Sequence, residues 1–176
     1  VRRTVPSARF AEAILQEWRG VQGDSGWDES PELDTVYFGG GTPTSFSNDD
    51  LRQILEKIAS CIELDERCSI TSEAHPTTLA GNKRVDGLRA MGINRLSIGC
   101  QTFDEAVLDR CNRTNTERQV AAVVASAQQA GLAINIDMMT GLPGQTLESV
   151  KRDRGVLERI RPDSVEYIRH EIVNPL

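Results

Sequence analysis

Val36-Tyr-Phe-Gly-Gly-Gly-Thr-Pro-Thr44 is the stretch that decides the predicted fold, because a short apolar run ends there in three consecutive glycines. The run from Val36 to Phe38 predicts a buried strand, and an amphipathic helix is predicted from Asp49 onwards. Glycine has no Cβ, so it allows unusual backbone conformations and lets a ligand approach the peptide groups. Such a turn after a strand is typical either of a site for a nucleotide or amino-acid-like ligand or of a plain tight turn.

The composition of the 176-residue chain, with 39% apolar and 26% charged side chains, is ordinary for a globular domain. A formal net charge of −6 argues against nucleic acid as the main partner. No run reaches the roughly 18 apolar residues that a membrane helix needs. The start, residues 1–6, has no apolar signal core, so no signal peptide is predicted. We therefore expect a cytoplasmic protein without a membrane partner. Because the chain lacks an initiator Met and ends abruptly, residues 1–176 are expected to be a fragment of one larger domain.

Four cysteines are present, and none of them is spaced as in a C-x-x-C or C-x-x-x-C-x-x-C metal motif. They are Cys61, Cys68, Cys100 and Cys111. The sequence therefore predicts buried or half-buried thiols and no metal site built from these residues alone.

Helical and strand patterns alternate along the whole chain. Helices are predicted over residues 7–19, 49–61, 82–91, 104–111, 116–130 and 147–160. Strands are predicted over 35–38, 68–72, 95–99, 133–138 and 164–168, and residues 20–31 are predicted to form a polar loop. Strands that alternate with helices form parallel sheets, which can be an open doubly wound sheet or an arc of a barrel. The sequence pattern alone leaves both architectures open.

Polar residues fall at the carboxyl ends of the predicted strands. The glycine stretch follows the first strand, Glu73 ends the second, Gln101 follows the third and Asp137 lies near the end of the fourth. Because parallel strands bring these ends to one face, where ligands bind, the residues are predicted to surround one site. The structural alternatives are that Glu73 caps a helix or pairs with an arginine, that Gln101 satisfies loop backbone, and that Asp137 pairs with Arg95.

The chemistry of these residues suits a nucleoside joined to an amino acid. Glu73 and Asp137 suit the paired hydroxyls of a ribose, and the peptide groups of the glycine stretch suit an α-amino acid. Arg113 is the candidate for binding a carboxylate through two parallel hydrogen bonds, the alternative being a solvent-exposed arginine. A ribose, an amino group and a carboxylate together describe S-adenosylmethionine (SAM).

Five spaced motifs resemble one known family. They are residues 38–44 (Phe-Gly-Gly-Gly-Thr-Pro-Thr), 72–76 (Ser-Glu-Ala-His-Pro), 92–103 (Gly-Ile-Asn-Arg-Leu-Ser-Ile-Gly-Cys-Gln-Thr-Phe), 112–113 (Asn-Arg) and 135–146 (Asn-Ile-Asp-Met-Met-Thr-Gly-Leu-Pro-Gly-Gln-Thr). In this order they resemble the oxygen-independent coproporphyrinogen III oxidase group of radical SAM enzymes. That group also includes haem chaperones and class C radical methyltransferases.

The resemblance implies an α/β fold, a parallel-stranded partial TIM barrel of the (β/α)6 type that here lacks its first strand. In the family, that strand and its loop carry C-x-x-x-C-x-x-C, which holds a [4Fe–4S] cluster. An electron donor such as flavodoxin or ferredoxin reduces the cluster, SAM is cleaved, and the 5′-deoxyadenosyl radical abstracts hydrogen from a small-molecule substrate. The implied substrate is a porphyrinogen or a natural-product scaffold, and the implied enzyme is an oxidoreductase or a methyltransferase.

The resemblance also assigns roles to seven residues. By motif, the methionine part of SAM meets Gly40, Gly41 and Thr42, and the ribose region meets Glu73 and Asp137. The sulfonium end lies near Gln101, and the carboxylate is bound by Arg113.

Several features of the chain depart from the family pattern. The resemblance implies that the C-terminal domain in which the family sets its substrate choice lies outside residues 1–176. Asn112 and Asn115 stand where the haem chaperones often have glycine and histidine. The cluster motif is absent from the sequence, so the resemblance implies that the cluster cysteines lie upstream of Val1, and radical chemistry is not expected from this chain alone. Cys100 stands where valine is usual and is predicted to pack. Arg154 stands where an apolar residue is usual.

Overall fold

A computed structural model describes residues 7–24, 32–60, 63–79 and 82–171 of the chain. The strands are β1 (Glu32–Phe38), β2 (Glu63–Ala74), β3 (Arg95–Gln101), β4 (Ala133–Thr140) and β5 (Ser164–Arg169). The α-helices are α1 (Ser7–Asp24), α2 (Asn48–Ala59), α3 (Asn82–Ala90), α4 (Glu105–Arg110), α5 (Glu117–Gln129) and α6 (Leu147–Ile160). Short 3₁₀ turns at Pro43–Ser45 and Pro76–Leu79 follow β1 and β2.

The strands form one sheet in which every neighbouring pair is parallel and the spatial order is β1-β2-β3-β4-β5. A doubly wound sheet reverses its order at a switch point, whereas a barrel adds each new strand beside the last one. The uninterrupted order therefore selects the barrel arc of the two predicted alternatives.

The two faces of the sheet differ in polarity because side chains alternate along each strand. On one face, Leu96, Ile98, Ile134, Ile136 and Met138 are completely buried in a core that also includes residues of the helices. On the opposite face, β3 and β4 carry polar side chains at the positions between these residues, and the register pairs them side by side. The inside of the arc is therefore polar, and its carboxyl end holds the predicted site.

Three predicted boundaries are wrong by more than two residues. Strand β1 begins at Glu32 rather than Thr35, because Glu32 already pairs with Glu63 of β2. Helix α1 continues to Asp24, although a loop was predicted from Gly20. Gly20 and Gly23 keep negative φ angles and have open space around them. They therefore lower the helix propensity of α1 without ending the helix. Strand β2 begins at Glu63 rather than Cys68, because Glu63 already pairs with Glu32 of β1.

Two sequence predictions concern parts of the chain that lie outside the described residues. They are the remainder of the polar loop at residues 25–31 and the burial of Cys61. Each of them stays a prediction.

Two departures from the family pattern have local explanations. Cys100 is completely buried in the core, and burial raises the pKa of its thiol, which confirms the predicted packing role. Arg154 is exposed on α6, and its Nε lies 2.9 Å from Glu158 Oε1, one turn further along the helix. Such a surface pair is worth only about 0.3–0.5 kcal/mol.

No helix in the described residues is long and apolar enough to cross a membrane.

Candidate functional site

An open cavity of about 270 Å³ lies at the carboxyl ends of the strands. Six of the seven predicted site residues line it: Gly41, Thr42, Glu73, Gln101, Arg113 and Asp137. The seventh, Gly40, donates its backbone N–H to Glu73 Oε2 at 3.2 Å. The structure thus brings all seven residues together, although they come from separate loops and strands.

Each of the three positions in the glycine stretch favours glycine. Gly40 and Gly41 have φ angles of +80° and +71°, in the left-handed region that side chains disfavour. A Cβ on Gly39 would lie 2.7 Å from the ring of Tyr37 and 3.0 Å from Glu73 Oε1. Gly41 and Thr42 line the cavity, and Cβ atoms added at Gly40 or Gly41 would meet open space.

Glu73 holds this glycine stretch in place. Its Oε1 accepts a hydrogen bond from the Tyr37 hydroxyl at 3.0 Å, while its Oε2 accepts the Gly40 N–H. Neither a helix cap nor an arginine pair is formed by Glu73 within the described residues, so both structural alternatives are wrong. An ionised carboxylate has about four acceptor sites, which leaves acceptor capacity for a ligand.

Among the described residues, Asp137 is held by hydroxyl and amide donors rather than by a cation. Ser97 Oγ lies 3.0 Å from both of its oxygens, and Asn135 Nδ2 lies 2.6 Å from Oδ1. Burial raises the pKa of Asp137 above its usual value; the Ser97 hydrogen bond opposes this, and the charges of Glu166 and Glu73 add to it. The predicted alternative of a pair with Arg95 is wrong, because Arg95 Nη2 donates to Ser164 Oγ at 3.1 Å.

Gln101 lies at an irregularity in the sheet. The register between β3 and β4 shifts between Gly99 and Gln101, and Gln101 has a φ of +74°. A positive φ is uncommon outside glycine, so this residue is held in place by its surroundings. Its side-chain amide hydrogen-bonds no other described residue, so the alternative that it satisfies loop backbone is wrong. The amide lines the cavity instead.

Arg113 reaches the cavity as a half-buried cation, which excludes the alternative of a solvent-exposed arginine. Its Nη2 lies 3.5 Å from the carbonyl oxygen of Gly99, and its buried Nε has no acceptor in the described part of the chain. It forms no salt bridge with any described residue. Burial, followed by the positive charge of Arg113, lowers the pKa of nearby His75. A half-buried guanidinium without an acidic partner fits an anionic ligand.

Sequence reasoning missed three side chains that position the site, namely Tyr37, Ser97 and Asn135. The signal available for Asn135 was the two-residue period of a strand, which places it on the same face as Asp137. The roles of Tyr37 and Ser97 depend on the pairing between strands, which a single sequence does not show. Ile168 of β5 also lines the cavity.

A second cavity of about 580 Å³ shares Gln101 and Arg113 with the first. Its other walls include Arg110, Cys111 and His170, together with apolar side chains of the loop after β4. The two cavities thus provide adjoining space on the same side of the sheet.

A metal centre made by this chain alone is not found among the described residues. No group of three His, Cys, Asp or Glu side chains in that part of the chain could hold a metal ion.

Comparisons with known proteins agree with this geometry. The profile of the Radical SAM superfamily matches residues 27–155. Heme chaperone HemW of Lactococcus lactis is 36% identical over 149 residues, which cover 84% of this chain and 37% of HemW. Heme chaperone HemW of Escherichia coli is 33% identical over 164 residues, which cover 93% of this chain and 42% of HemW.

The same similarity is found among solved structures. Coproporphyrinogen III oxidase (HemN) from Escherichia coli superposes with a TM-score of 0.88 and 25% identity, covering 98% of this chain and 39% of HemN. The chain therefore spans about two fifths of the length of these relatives. The chain belongs to the radical SAM superfamily, whose cofactors are SAM and a [4Fe–4S] cluster, and within it to the group related to HemN and HemW.

Proposed function

We propose that the cavity at the carboxyl ends of β1 to β5 binds SAM, and that residues 1–176 are part of one radical SAM core domain. The observation that carries this proposal is Arg113. Its guanidinium enters a cavity rimmed by a glycine turn and two carboxylates, and it has no acidic partner among the described residues. Binding of a carboxylate at the guanidinium would balance its charge.

Each part of SAM has a chemically suitable partner in the cavity. Arg113 binds the carboxylate, while Gly40, Gly41 and Thr42 present backbone groups to the methionine part. Glu73 and Asp137 accept hydrogen bonds from the ribose region, and Gln101 lies near the sulfonium. Both carboxylates are already fixed by protein donors, so they need little reorganisation when the ligand binds.

The cluster, when bound, supplies the electron that cleaves SAM. In the proposed arrangement the cluster cysteines lie upstream of Val1, since the four cysteines of this chain do not form the required motif. The contribution of this chain is to bind and orient SAM and to keep the carboxylate and ribose in fixed positions. The substrate is a small molecule that reaches SAM from the open side of the cavity.

Calorimetric titration of SAM tests the binding site. Arg113→Met keeps much of the volume but removes the charge, so the dissociation constant should rise roughly 10–100-fold, the size expected for charge-assisted hydrogen bonds. Asp137→Ala should also weaken binding. Arg118→Met, on the exposed side of α5, is the matched control and should bind as the unchanged protein does. Equal affinities for the Arg113 and Arg118 variants would contradict the proposal.

Two uses of the bound SAM are compatible with this site, and each has a supporting observation. The first candidate is a radical SAM enzyme, supported by the similarity to HemN, whose reported structure is that of a radical SAM enzyme. The second candidate is a haem chaperone, supported by the 36% identity to HemW of Lactococcus lactis. Radical methylation of a natural-product scaffold is a further form of the first candidate.

Anaerobic reconstitution of the full-length protein with iron and sulfide separates these candidates. An oxidase should release 5′-deoxyadenosine when SAM, a reductant and coproporphyrinogen III are supplied. A methyltransferase should in addition form S-adenosylhomocysteine with its own substrate. Tight binding of haem without any 5′-deoxyadenosine would favour the chaperone and would contradict the enzyme.

A further inference from the structure

Helix α6 contains a buried carboxylate that the proposed site does not use. Asp153 is only 2% exposed and forms no salt bridge with a described residue. A buried carboxylate without a cation is costly unless hydrogen bonds compensate for its lost hydration. Both of its oxygens are used: Thr102 Oγ1 donates to Oδ2 at 2.8 Å, and the Phe103 backbone N–H donates to Oδ1 at 2.7 Å.

Helix α6 holds the turn between β3 and α4 at a second point as well. Ser149 Oγ, one helical turn before Asp153, donates to Asp104 Oδ2 at 2.7 Å. Asp104 in turn caps α4, because its Oδ1 accepts the backbone N–H groups of the first turn. The Asp104 N–H also donates to Thr102 Oγ1 at 3.1 Å. The turn from Thr102 to Asp104 is therefore fixed to α6 through two side chains.

The residue directly before this turn is Gln101, whose backbone has a φ of +74°. A glutamine in this region persists only where the surrounding structure imposes the conformation. The two residues that follow Gln101 are the ones that Asp153 binds. Relaxation of Gln101 to a negative φ would redirect its side chain, which now lines the cavity beside Arg113.

We propose that Asp153 is a positioning residue for the SAM site. From α6 it fixes Thr102 and Phe103, so that Gln101 keeps its left-handed backbone and its amide stays in the cavity. Asp153 itself lines neither of the two cavities. The expected effect of Asp153 on SAM affinity rests on the proposed function. Its expected effect on the backbone of Gln101 does not depend on any ligand.

A double-mutant cycle on SAM affinity tests the coupling. Asp153→Asn cannot accept both hydrogen bonds and should raise the dissociation constant about tenfold. Gln101→Gly removes the amide, and glycine adopts a positive φ without help from its surroundings. In the Gln101→Gly background, Asp153→Asn should therefore change SAM affinity less than twofold. The proposal is overturned if Asp153→Asn lowers affinity by the same factor in both backgrounds, or if it has no effect in either.

A crystal structure of Asp153→Asn separates this role from the identity of the ligand. A negative φ at Gln101, with its amide withdrawn from the cavity, supports the positioning role even if the unchanged protein fails to bind SAM. A φ that stays near its present value would overturn it. Glu158→Gln, on the exposed side of α6, is the control and should leave both SAM affinity and Gln101 unchanged. If Asp153→Asn does not fold, Thr102→Val, which removes one of the two donors, takes its place in both experiments.

Discussion

At the residue scale, Asp137 ends a chain of hydrogen bonds inside the arc. Arg95 donates to Ser164, Ser164 Oγ donates to Asn135 Oδ1 at 2.8 Å, and Asn135 Nδ2 donates to Ser97 Oγ at 2.9 Å and to Asp137. Every donor in this series of hydrogen bonds points towards Asp137. The carboxylate is thus fixed from the protein side and presents its remaining acceptor capacity to the cavity.

Replacing Asn135 should change how SAM binding depends on pH. Burial already raises the pKa of Asp137, so its ionised form is lost at a higher pH than for an ordinary aspartate. If ionised Asp137 binds SAM, affinity falls as the pH drops through this raised pKa. Asn135→Leu removes a donor that favours the ionised form, so the fall should move to still higher pH. Gln129→Leu, exposed on α5, is the control, and identical pH profiles for all three proteins would contradict the role of Asn135.

Substitution of the glycines should report backbone strain rather than steric clash. A Cβ at Gly40 would meet no atom within 4 Å, yet its φ of +80° is disfavoured for side chains. Gly40→Ala should therefore lower the free energy of unfolding by about 1–2 kcal/mol. Gly40→Asn should lose less, because asparagine tolerates this region better. Urea unfolding measures both variants, and an alanine variant as stable as the unchanged protein would contradict the left-handed turn.

Sequence patterns predicted which polar residues converge at the strand ends but not their partners. A polar residue after an apolar strand is visible in a single sequence, and this feature identified Glu73 and Asp137. Their neighbours across the sheet depend on register. Asp137 pairs with Gly99, four residues beyond Arg95 on β3. At about 3.3 Å per residue, Arg95 is therefore roughly 13 Å away along the strand, which explains why the predicted pair is absent.

At the element scale, Arg84 of α3 joins the loop after β1 to the next βα unit. Its Nη2 donates to the Thr44 carbonyl at 2.8 Å and also to the Phe46 carbonyl, and its Nη1 donates to Asn48 Oδ1 at the start of α2. Burial lowers the pKa of Arg84. Thr44 Oγ1 and Thr78 Oγ1, 2.6 Å apart, link the same loop to the turn after β2. This loop is the continuation of the glycine stretch.

Loss of the Arg84 side chain should loosen this connection. Arg84→Met keeps apolar packing but leaves two carbonyls and Asn48 without their donor. The free energy of unfolding should fall by about 2 kcal/mol, a typical cost for lost hydrogen bonds to a charged group. Arg89→Met, on the exposed side of the same helix, should change it by less than about 0.5 kcal/mol. Equal unfolding midpoints in urea for the two variants would contradict the role of Arg84.

Element types were predictable for this chain, whereas several boundaries were not. The period of the apolar residues separates helices from strands, so the predicted alternation is confirmed. The end of α1 was missed because glycine is an ambiguous signal: it can stop a helix or be tolerated within it, as at Gly20 and Gly23. The start of β2 depends on pairing with β1, which no local pattern reveals.

At the scale of the whole molecule, the arc has two edge strands within the described residues. β1 pairs only with β2, and β5 pairs only with β4. On β5, Val165, Tyr167 and Ile168 are 37%, 50% and 43% exposed, respectively. Unpaired strand edges and exposed apolar side chains favour pairing with an additional strand. Together with coverage of about two fifths of its relatives, this supports the proposal that the chain is part of a larger core domain.

The most direct test is a crystal structure of the protein grown with SAM. We expect the SAM carboxylate within hydrogen-bonding distance of Arg113, the methionine part along residues 40–42, and ribose oxygens near Glu73 and Asp137. Gln101 should keep its left-handed backbone in that complex. SAM bound at any other place, or an Arg113 guanidinium still without an anionic partner in the complex, would contradict the account.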